Sequence, residues 1–545
     1  MKKENFIPLL PFLSSILAWL SYPPADISFL AWVSYVPLFF YIAEISKASG
    51  FFSRRFIFIT KPGLKALGPV YLGGVLFFLL GLGWLRHVSW AGLFVLPLAL
   101  SAYWVIFALS GYLIMRYFSL FYAAFLMPAC WVFLEYLRSF VLTGFPWLFA
   151  GHTQYLWIPL IQISDITGVY GISFIILFVN VVIFVLIKER LRISFKIIGL
   201  IAITAAIFTG ALVYGMSRLN GLTFKDGPII GIVQGNIEQT LKVDPSNVED
   251  IYTKHFDLTL ELLKPQPGPD LVVWAETMFP FIIGLDEENM QGLKETAALC
   301  GVPMLIGALT VNESQVEGRE YDVYNSAYYL DSSGELLNRY DKSHLVPISE
   351  YIPFKDTAVF KKIIRAVIRA LSELKEVYGM SAGANFEPFL LKVKREDSKT
   401  ADYKYGVLIC YESIFPELAR ESVSRGADFI INVSNDGWFK NSSELEQILA
   451  ISAFRAVENK TTFVRATNTG ISAIIQPSGR IDILKNKDGK AKEIEGIWAK
   501  QLVLAEQKGT FYTRWGDYFP YLCLLMAVVI IILKYLKIID PVRNV

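Results

Sequence analysis

The sequence predicts an α-helical transmembrane bundle of about eight spans that carries one layered α/β domain. Three observations predict it. The 545-residue chain is 54% hydrophobic with a mean hydropathy of +0.44, too apolar for an ordinary water-soluble protein. Eight apolar stretches long enough, or nearly so, to cross a bilayer core of roughly 30 Å all fall outside residues 219–517. Inside 219–517 the composition is that of a globular domain, and short apolar runs alternate with helix-like ones.

The spans are read at residues 6–22, 27–45, 67–85, 90–115, 120–137, 169–187, 197–214 and 519–536. They divide the chain into a seven-span bundle at 1–218, a soluble domain at 219–517, and a last helix with its tail at 518–545. Met1-Lys2-Lys3 opens like a signal peptide, but no small-x-small cleavage site follows, so the first apolar run is read as a retained helix. Lys47, Arg54, Arg55, Lys61 and Lys65 share one short loop, Arg116 the next on that side, and Lys188, Arg190, Arg192 and Lys196 the third. Lys537 and Arg543 follow the last span, whereas the opposite loops offer little beyond Arg86 and Arg138. Positive loops stay inside. Both termini are therefore expected in the cytoplasm, and the domain on the periplasmic or outer face of a bacterial inner membrane.

Within the bundle, Glu135 and Arg138 are spaced to pair with each other. The aromatic loop at 140–167 (Phe145, Trp147, Phe149, Tyr155, Trp157) reads either as interfacial anchoring or as a re-entrant floor beneath a lipid-facing site. Ionisable residues are otherwise sparse in the spans, which argues against a transporter.

In the soluble block, strands are read at 228–233, 271–274, 304–309, 324–330, 388–393, 405–409, 429–433, 462–466 and 472–476, and helices at 248–263, 287–300, 417–424 and 444–458. Runs such as Leu271-Val272-Val273-Trp274 are apolar throughout, as in strands covered on both faces. Residues 360–377 form a basic amphipathic pattern, with Phe360, Ile364, Val367 and Leu371 on one face and Lys361, Lys362, Arg365 and Arg369 among the other positions. That pattern suits a membrane-surface helix or lid, or a helix packed on the domain.

The net charge is +2, so no nucleic acid or other polyelectrolyte partner is implied. Cys130, Cys300, Cys410 and Cys523 show no CxxC spacing, and His87, His152, His255 and His344 are scattered, so neither a metal site nor a disulfide framework is indicated. Cys410 ends the apolar run Gly406–Ile409 and precedes a polar corner and a helix opening near Pro416. At a helix N-terminus a thiol pKa falls and a thiolate nucleophile forms. Read alone, Cys410 is first a small apolar residue closing a core strand. Glu276 follows another buried run, and Lys342 lies in a polar loop. A carboxylate that takes the thiol proton, an ammonium that steadies an oxyanion and a thiol that attacks would make a nucleophilic set.

With those three residues in place, the soluble block resembles the nitrilase superfamily of carbon–nitrogen hydrolases. Glu135–Arg138, Thr143–Trp147, Ile232–Ile237, Asp341–Leu345, Cys410–Glu412, Asn435–Trp438, Arg465–Gly470 and Arg514–Asp517 together resemble the apolipoprotein N-acyltransferase family over nearly the whole chain. The resemblance implies an α-β-β-α sandwich and a catalytic triad of Glu276 as base, Lys342 as oxyanion stabiliser and Cys410 as nucleophile. Glu350 matches a further family glutamate that assists the base or holds Lys342, and Tyr411 and Glu412 match residues flanking the nucleophile. Trp438 reads as a supporting residue or as core packing. Asn435 and Asp436 read as a turn, and Arg465 as an ion-pair partner. Two positions depart from the family: Val243 stands where a Trp is common, and Ala275 replaces a Pro.

The activity implied is acyl transfer without metal or organic cofactor. A phospholipid, expected to be phosphatidylethanolamine, acylates Cys410. The thioester then passes its chain to the α-amino group of a diacylated apolipoprotein. The alternative is a membrane-tethered nitrilase-type amidase acting on a soluble amide, and a non-enzymatic scaffold is disfavoured because all three triad residue types are present.

Overall fold

A computed structural model describes residues 6–48, 50–51, 59–192, 194–242, 244–315, 320–353, 379–394 and 400–539. The amphipathic stretch at 360–377 and Val243 lie outside the described residues. The chain forms two compact units, Met1–Asn220 with Asp517–Val545, and Gly221–Gly516.

The first unit is helical. Among the described residues, seven helices are long and apolar enough to cross a membrane: Ser28–Ile45, Lys61–Gly81, Trp90–Tyr117, Leu120–Phe140, Val169–Lys188, Phe195–Asn220 and Tyr518–Tyr535. The expected first span is shorter than a full crossing. It is the helix Ile7–Leu20, about 21 Å long at 1.5 Å per residue, because Tyr22-Pro23-Pro24 cannot continue it. Ser28–Ile45 is itself broken, a 3-10 turn at Ser28–Trp32 leading into Val36–Ile45. The Asn180 amide bridges the break, accepting from Tyr35 N (2.8 Å) and donating to Ala31 O (2.8 Å). In lipid such freed backbone groups need a partner inside the protein. Glycines let helices approach closely: a Cβ on Gly74 would lie 3.1 Å from Trp104.

Glu135 and Arg138 do not pair directly as expected. Glu135 Oε1 accepts from Trp131 Nε1 (2.8 Å) and Ala150 N (2.7 Å), and Arg138 Nη2 donates to the carbonyls of Trp147 (2.9 Å) and Leu148 (3.2 Å). Both side chains pin the aromatic loop to the helix Leu120–Phe140. Trp147, Phe149 and Tyr155 are accordingly buried inside the unit, so anchoring at a lipid interface does not describe them.

The second unit contains two six-stranded sheets. The first has the order β12-β1-β2-β3-β4-β5, with β1 (Phe224–Gln234), β2 (Leu271–Ile283), β3 (Met304–Glu313), β4 (Tyr321–Leu330), β5 (Leu336–Asp341) and β12 (Gly496–Ala505). The second has the order β11-β10-β9-β8-β7-β6, with β6 (Phe389–Lys394), β7 (Thr400–Ile409), β8 (Phe429–Ser434), β9 (Thr462–Thr467), β10 (Ala473–Ile475) and β11 (Ile481–Ile483). Each sheet has a parallel trio, β1-β2-β3 or β7-β8-β9, flanked by antiparallel strands.

Alternation along the strands builds the layers. Ile230, Ile232, Leu271 and Val273 of the first sheet pack between the sheets against Tyr405, Val407, Phe429 and Ile431 of the second. Their neighbours Val272, Trp274, Met304 and Ile306 face outward onto helices α1 (Val248–Leu262) and α2 (Glu287–Cys300) through Leu258, Leu262, Leu293 and Ala297. On the outer face of the second sheet lie α3 (Pro416–Ser424) and α4 (Glu444–Asn459). A glycine on each sheet admits a helix: a Cβ on Gly231 would meet Leu262 at 2.7 Å, and one on Gly406 would meet Ser422 at 2.5 Å. The helix–sheet–sheet–helix order is the expected sandwich.

Candidate active site

Cys410 follows β7 directly and opens a 3-10 turn, Cys410–Ile414. Its φ is +54°, a left-handed conformation that costs an L-residue about 1–2 kcal/mol. Glu412 holds this corner. Fully buried, it accepts through Oε2 from Ile409 N (2.7 Å) and through Oε1 from Ser343 N (2.8 Å), Ser343 Oγ (2.7 Å) and His344 N (2.9 Å). The Tyr340 hydroxyl donates to the same carboxylate at 2.9 Å. Glu412 thereby fastens the end of β7 to the loop after β5. Beneath the corner, Asn432 Nδ2 donates to Cys410 O (3.2 Å), and Arg465 joins Asn432 Oδ1 (3.1 Å) to Asp436 Oδ2 (2.8 Å). Arg465 is the structural ion-pair partner that its sequence context suggested.

Glu276 lies inside β2 rather than beyond it. The strand runs on to Ile283, but its register with β3 shifts between Trp274 and Phe279, and Thr277 takes a φ of +53°. For a β-branched residue that is a true outlier, and the distortion turns the Glu276 side chain out of the ladder. Gly307 on β3 makes room for it, since a Cβ there would lie 2.4 Å from Ala275 O. Glu276 Oε1 accepts from Asn325 Nδ2 (2.7 Å) and Oε2 from Asn435 N (2.8 Å). Asn435 is thus both a turn residue, with Oδ1 accepting from Gly437 N (3.3 Å), and a holder of the carboxylate.

Lys342, 1% exposed, follows β5. Its Nζ lies 2.7 Å from Glu350 Oε1 and 3.5 Å from Glu276 Oε1. Glu350 is oriented in turn by Val346 N, which donates to its Oε2 at 2.7 Å. Burial works against the ammonium, but the Glu350 and Glu276 carboxylates outweigh it and hold the Lys342 pKa above the usual lysine range. The ammonium thus faces two carboxylates, the nearer being that of Glu350.

The thiol behaves opposite to the expectation from a helix N-terminus. Burial, then the Glu276 charge, push the Cys410 pKa well above the ordinary thiol value, with Lys342 opposing. The reason is positional: α3 begins at Pro416, six residues on, so its dipole does not end on the sulfur. The resting group is a thiol in the field of a carboxylate and an ammonium.

The structure therefore brings the buried Glu276, Lys342, Glu350 and Glu412 together with the half-buried Cys410 in one cluster. Tyr411 packs beside it, its ring 5.1 Å from Phe415 and 6.2 Å from His344. Trp438 does not join the cluster and is not core; it is 43% exposed on the turn after Asn435. Sequence reasoning missed Asn325, Tyr340 and Lys242. Asn325 left one signal, a lone amide in a strand run that also carries Tyr324, Tyr328 and Tyr329. Among the described residues no group of three or more His, Cys, Asp or Glu is arranged to hold a metal.

Comparisons with known proteins agree with this two-unit organisation. The apolipoprotein N-acyltransferase N-terminal domain matches residues 14–182, and the carbon-nitrogen hydrolase domain matches residues 230–489. An apolipoprotein N-acyltransferase of Geobacter metallireducens is 33% identical over 97% of this chain and 95% of its own. One from Rickettsia prowazekii is 32% identical over 74% of this chain and 75% of its own. Among solved structures, a carbon-nitrogen hydrolase from Helicobacter pylori G27 is 17% identical, with a TM-score of 0.36 over 55% of this chain and 94% of that one. A match that runs almost end to end, through the helical unit and the sandwich alike, leaves one conclusion: the chain belongs to the apolipoprotein N-acyltransferase family.

Proposed function

We propose that this multi-pass membrane N-acyltransferase works through a thioester on Cys410, with a membrane phospholipid as donor and the N-terminal S-diacylglyceryl-cysteine of apolipoproteins as acceptor. One observation carries the reading: a buried carboxylate, a buried ammonium and a half-buried thiol share one cluster, with the Glu276 and Lys342 charges 3.5 Å apart and both acting on Cys410. In the first half-reaction Glu276 takes the thiol proton as sulfur attacks an acyl ester, expected to be the sn-1 ester of phosphatidylethanolamine. Lys342 steadies the tetrahedral oxyanion, assisted by a backbone N–H beside Cys410. The C–O bond breaks, Glu276 returns the proton to the leaving oxygen, and a lysophospholipid departs. In the second half-reaction the α-amine attacks the thioester and gives its proton to Glu276; the C–S bond breaks and the thiol is restored. Glu350 holds Lys342, and Glu412 holds the corner that presents Cys410. Water must be kept from the thioester, or the enzyme becomes a lipase.

We place the sandwich on the periplasmic or outer face, with the C-terminus in the cytoplasm, because the basic loops between the later helices share one side. That assignment does not depend on the short helix Ile7–Leu20; if it crosses, the N-terminus is cytoplasmic as well. The test is incubation of the purified enzyme with labelled phospholipid, followed by mass spectrometry. The expected result is an acyl group on Cys410 that is absent in C410A and discharged by a diacylated lipopeptide. Turnover of soluble amides with no acylation from any phospholipid would instead establish the amidase reading.

A further inference from the structure

A second ammonium reaches the base. Lys242 ends the short helix Gln239–Lys242, and its Nζ donates to the Thr277 hydroxyl and to the Glu276 backbone carbonyl (3.4 Å). These are the two residues at the distortion of β2, where Thr277 holds its unfavourable φ of +53°. The same short helix supports the carboxylate from its other end. Gln239 Oε1 accepts from Asn435 Nδ2 (2.9 Å), and the N–H of Asn435 donates to Glu276 Oε2 (2.8 Å). One four-residue segment thus holds both the backbone and the carboxylate of Glu276. Lys242 also lies in the field of the reacting pair. Burial lowers its pKa to about 8, and Glu276 and Cys410 oppose that shift.

We propose that Lys242 is a positioning residue for the acyl transfer: it clasps Thr277 and the Glu276 carbonyl so that the distorted strand keeps the carboxylate aimed at Cys410, and its charge steadies the anion that forms there. The proposal rests on Glu276 being the proton acceptor. As the proton moves from sulfur to Glu276, negative charge moves to sulfur and then to the substrate oxygen. Lys342 faces that charge from the Glu350 side, and Lys242 faces it from the Thr277 side. Lys242 itself gives up no proton.

The experiment uses the full-length enzyme in phospholipid vesicles, reading single-turnover acylation of Cys410 as a function of pH. K242M should slow acylation about 10- to 100-fold at pH 7, because a small misplacement of a catalytic group costs that much, and the deficit should shrink above about pH 8, where the wild-type Lys242 loses its own proton. K242R keeps the charge to higher pH and should recover part of the rate without that change near pH 8. T277V keeps the shape but removes the hydroxyl, and should slow acylation about 3- to 10-fold. The double variant K242M/T277V should be no slower than K242M, as for residues acting through one contact. Rates within twofold of wild type in both single variants, or losses that multiply in the double variant, would overturn the proposal. If K242M does not fold, T277V and K242R carry the same test. E276Q separates the two levels: if it acylates normally, the assignment of the base fails, and if it does not while K242M does, only the role of Lys242 fails.

Discussion

The two sheets of the sandwich share one plan and deliver their reacting groups in different ways. Each has three parallel strands flanked by antiparallel ones, and each places a non-glycine residue at positive φ at or beside its proposed reacting residue: Thr277, next to Glu276, at +53° and Cys410 itself at +54°. The thiol is set first by its own neighbourhood, since Glu412 accepts from Ile409 N and closes the corner within three residues, and the loop after β5 then anchors that corner. The carboxylate is set from a distance, by Asn325 at 49 residues and Asn435 at 159. A nucleophile built on a local turn survives as long as the turn does. A base held by tertiary contacts can be disarmed while the sandwich stays folded.

The largest expected effect tests that contrast at its centre. E276Q keeps the shape and loses the charge, so acylation of Cys410 should fall about 10²- to 10⁴-fold, the usual contribution of a general base. Alkylation by iodoacetamide should move the other way. The Glu276 charge helps to push the thiol pKa up. Removing it lowers that pKa and leaves more thiolate at any pH below the midpoint. In the wild type, alkylation should be slow at neutral pH and rise only above the free-thiol range of about 8.5. Rate profiles from pH 6 to 10 check both signs; a parallel fall in acylation and alkylation would mean that the local turn does not hold the thiol independently of the base.

Glu412 belongs to both regions, and its loss should cost stability as well as rate. E412A strands five donors, buried ones on Ile409 and Tyr340 and part-buried ones on His344 and twice on Ser343. We expect about 2–4 kcal/mol of lost stability and near-complete loss of acylation, read by thermal unfolding in detergent and by mass spectrometry. N325A is the counterpart on the other sheet. It removes one donor to Glu276 and should slow acylation about tenfold while changing stability by only about 1 kcal/mol. Equal unfolding penalties for the two variants would erase the distinction between the sheets.

The same distinction explains what could be read in the sequence. Strand 405–409, the polar corner and the helix at Pro416 are contiguous, and all appear in the structure near the positions expected. β2 was cut short at Trp274 because Glu276-Thr277 and Pro280 break its apolar run, although the strand resumes to Ile283. β5, β11 and β12 were not recognised. Their apolar positions are few or interrupted by Lys500, Gln501 and Asp482, and pairing with neighbours decides them. The Glu135–Arg138 spacing suggested a pair, but each side chain found stronger partners in a loop folded back into the bundle. The expected low thiol pKa failed because burial and Glu276 cannot be seen from the strand and helix flanking Cys410.

The smallest expected effect asks how far the corner at Cys410 is over-determined. Y340F removes only the hydroxyl, which donates to Glu412 at 2.9 Å and lies 3.2 Å from Ser343 Oγ. Four donors remain on the carboxylate, three of them backbone N–H groups held in place by the chain itself. The cost should be that of one hydrogen bond, about 0.5–1.5 kcal/mol, and acylation should stay within about threefold because Ile409 N still fixes the turn. The phenylalanine ring fills the same space, so no cavity adds to the loss. A much larger fall in acylation, with unfolding unchanged, would mean that the tyrosine hydroxyl acts on the reaction rather than on Glu412. The thiol would then depend on a residue 70 positions away, and its placement would be no more local than that of the base.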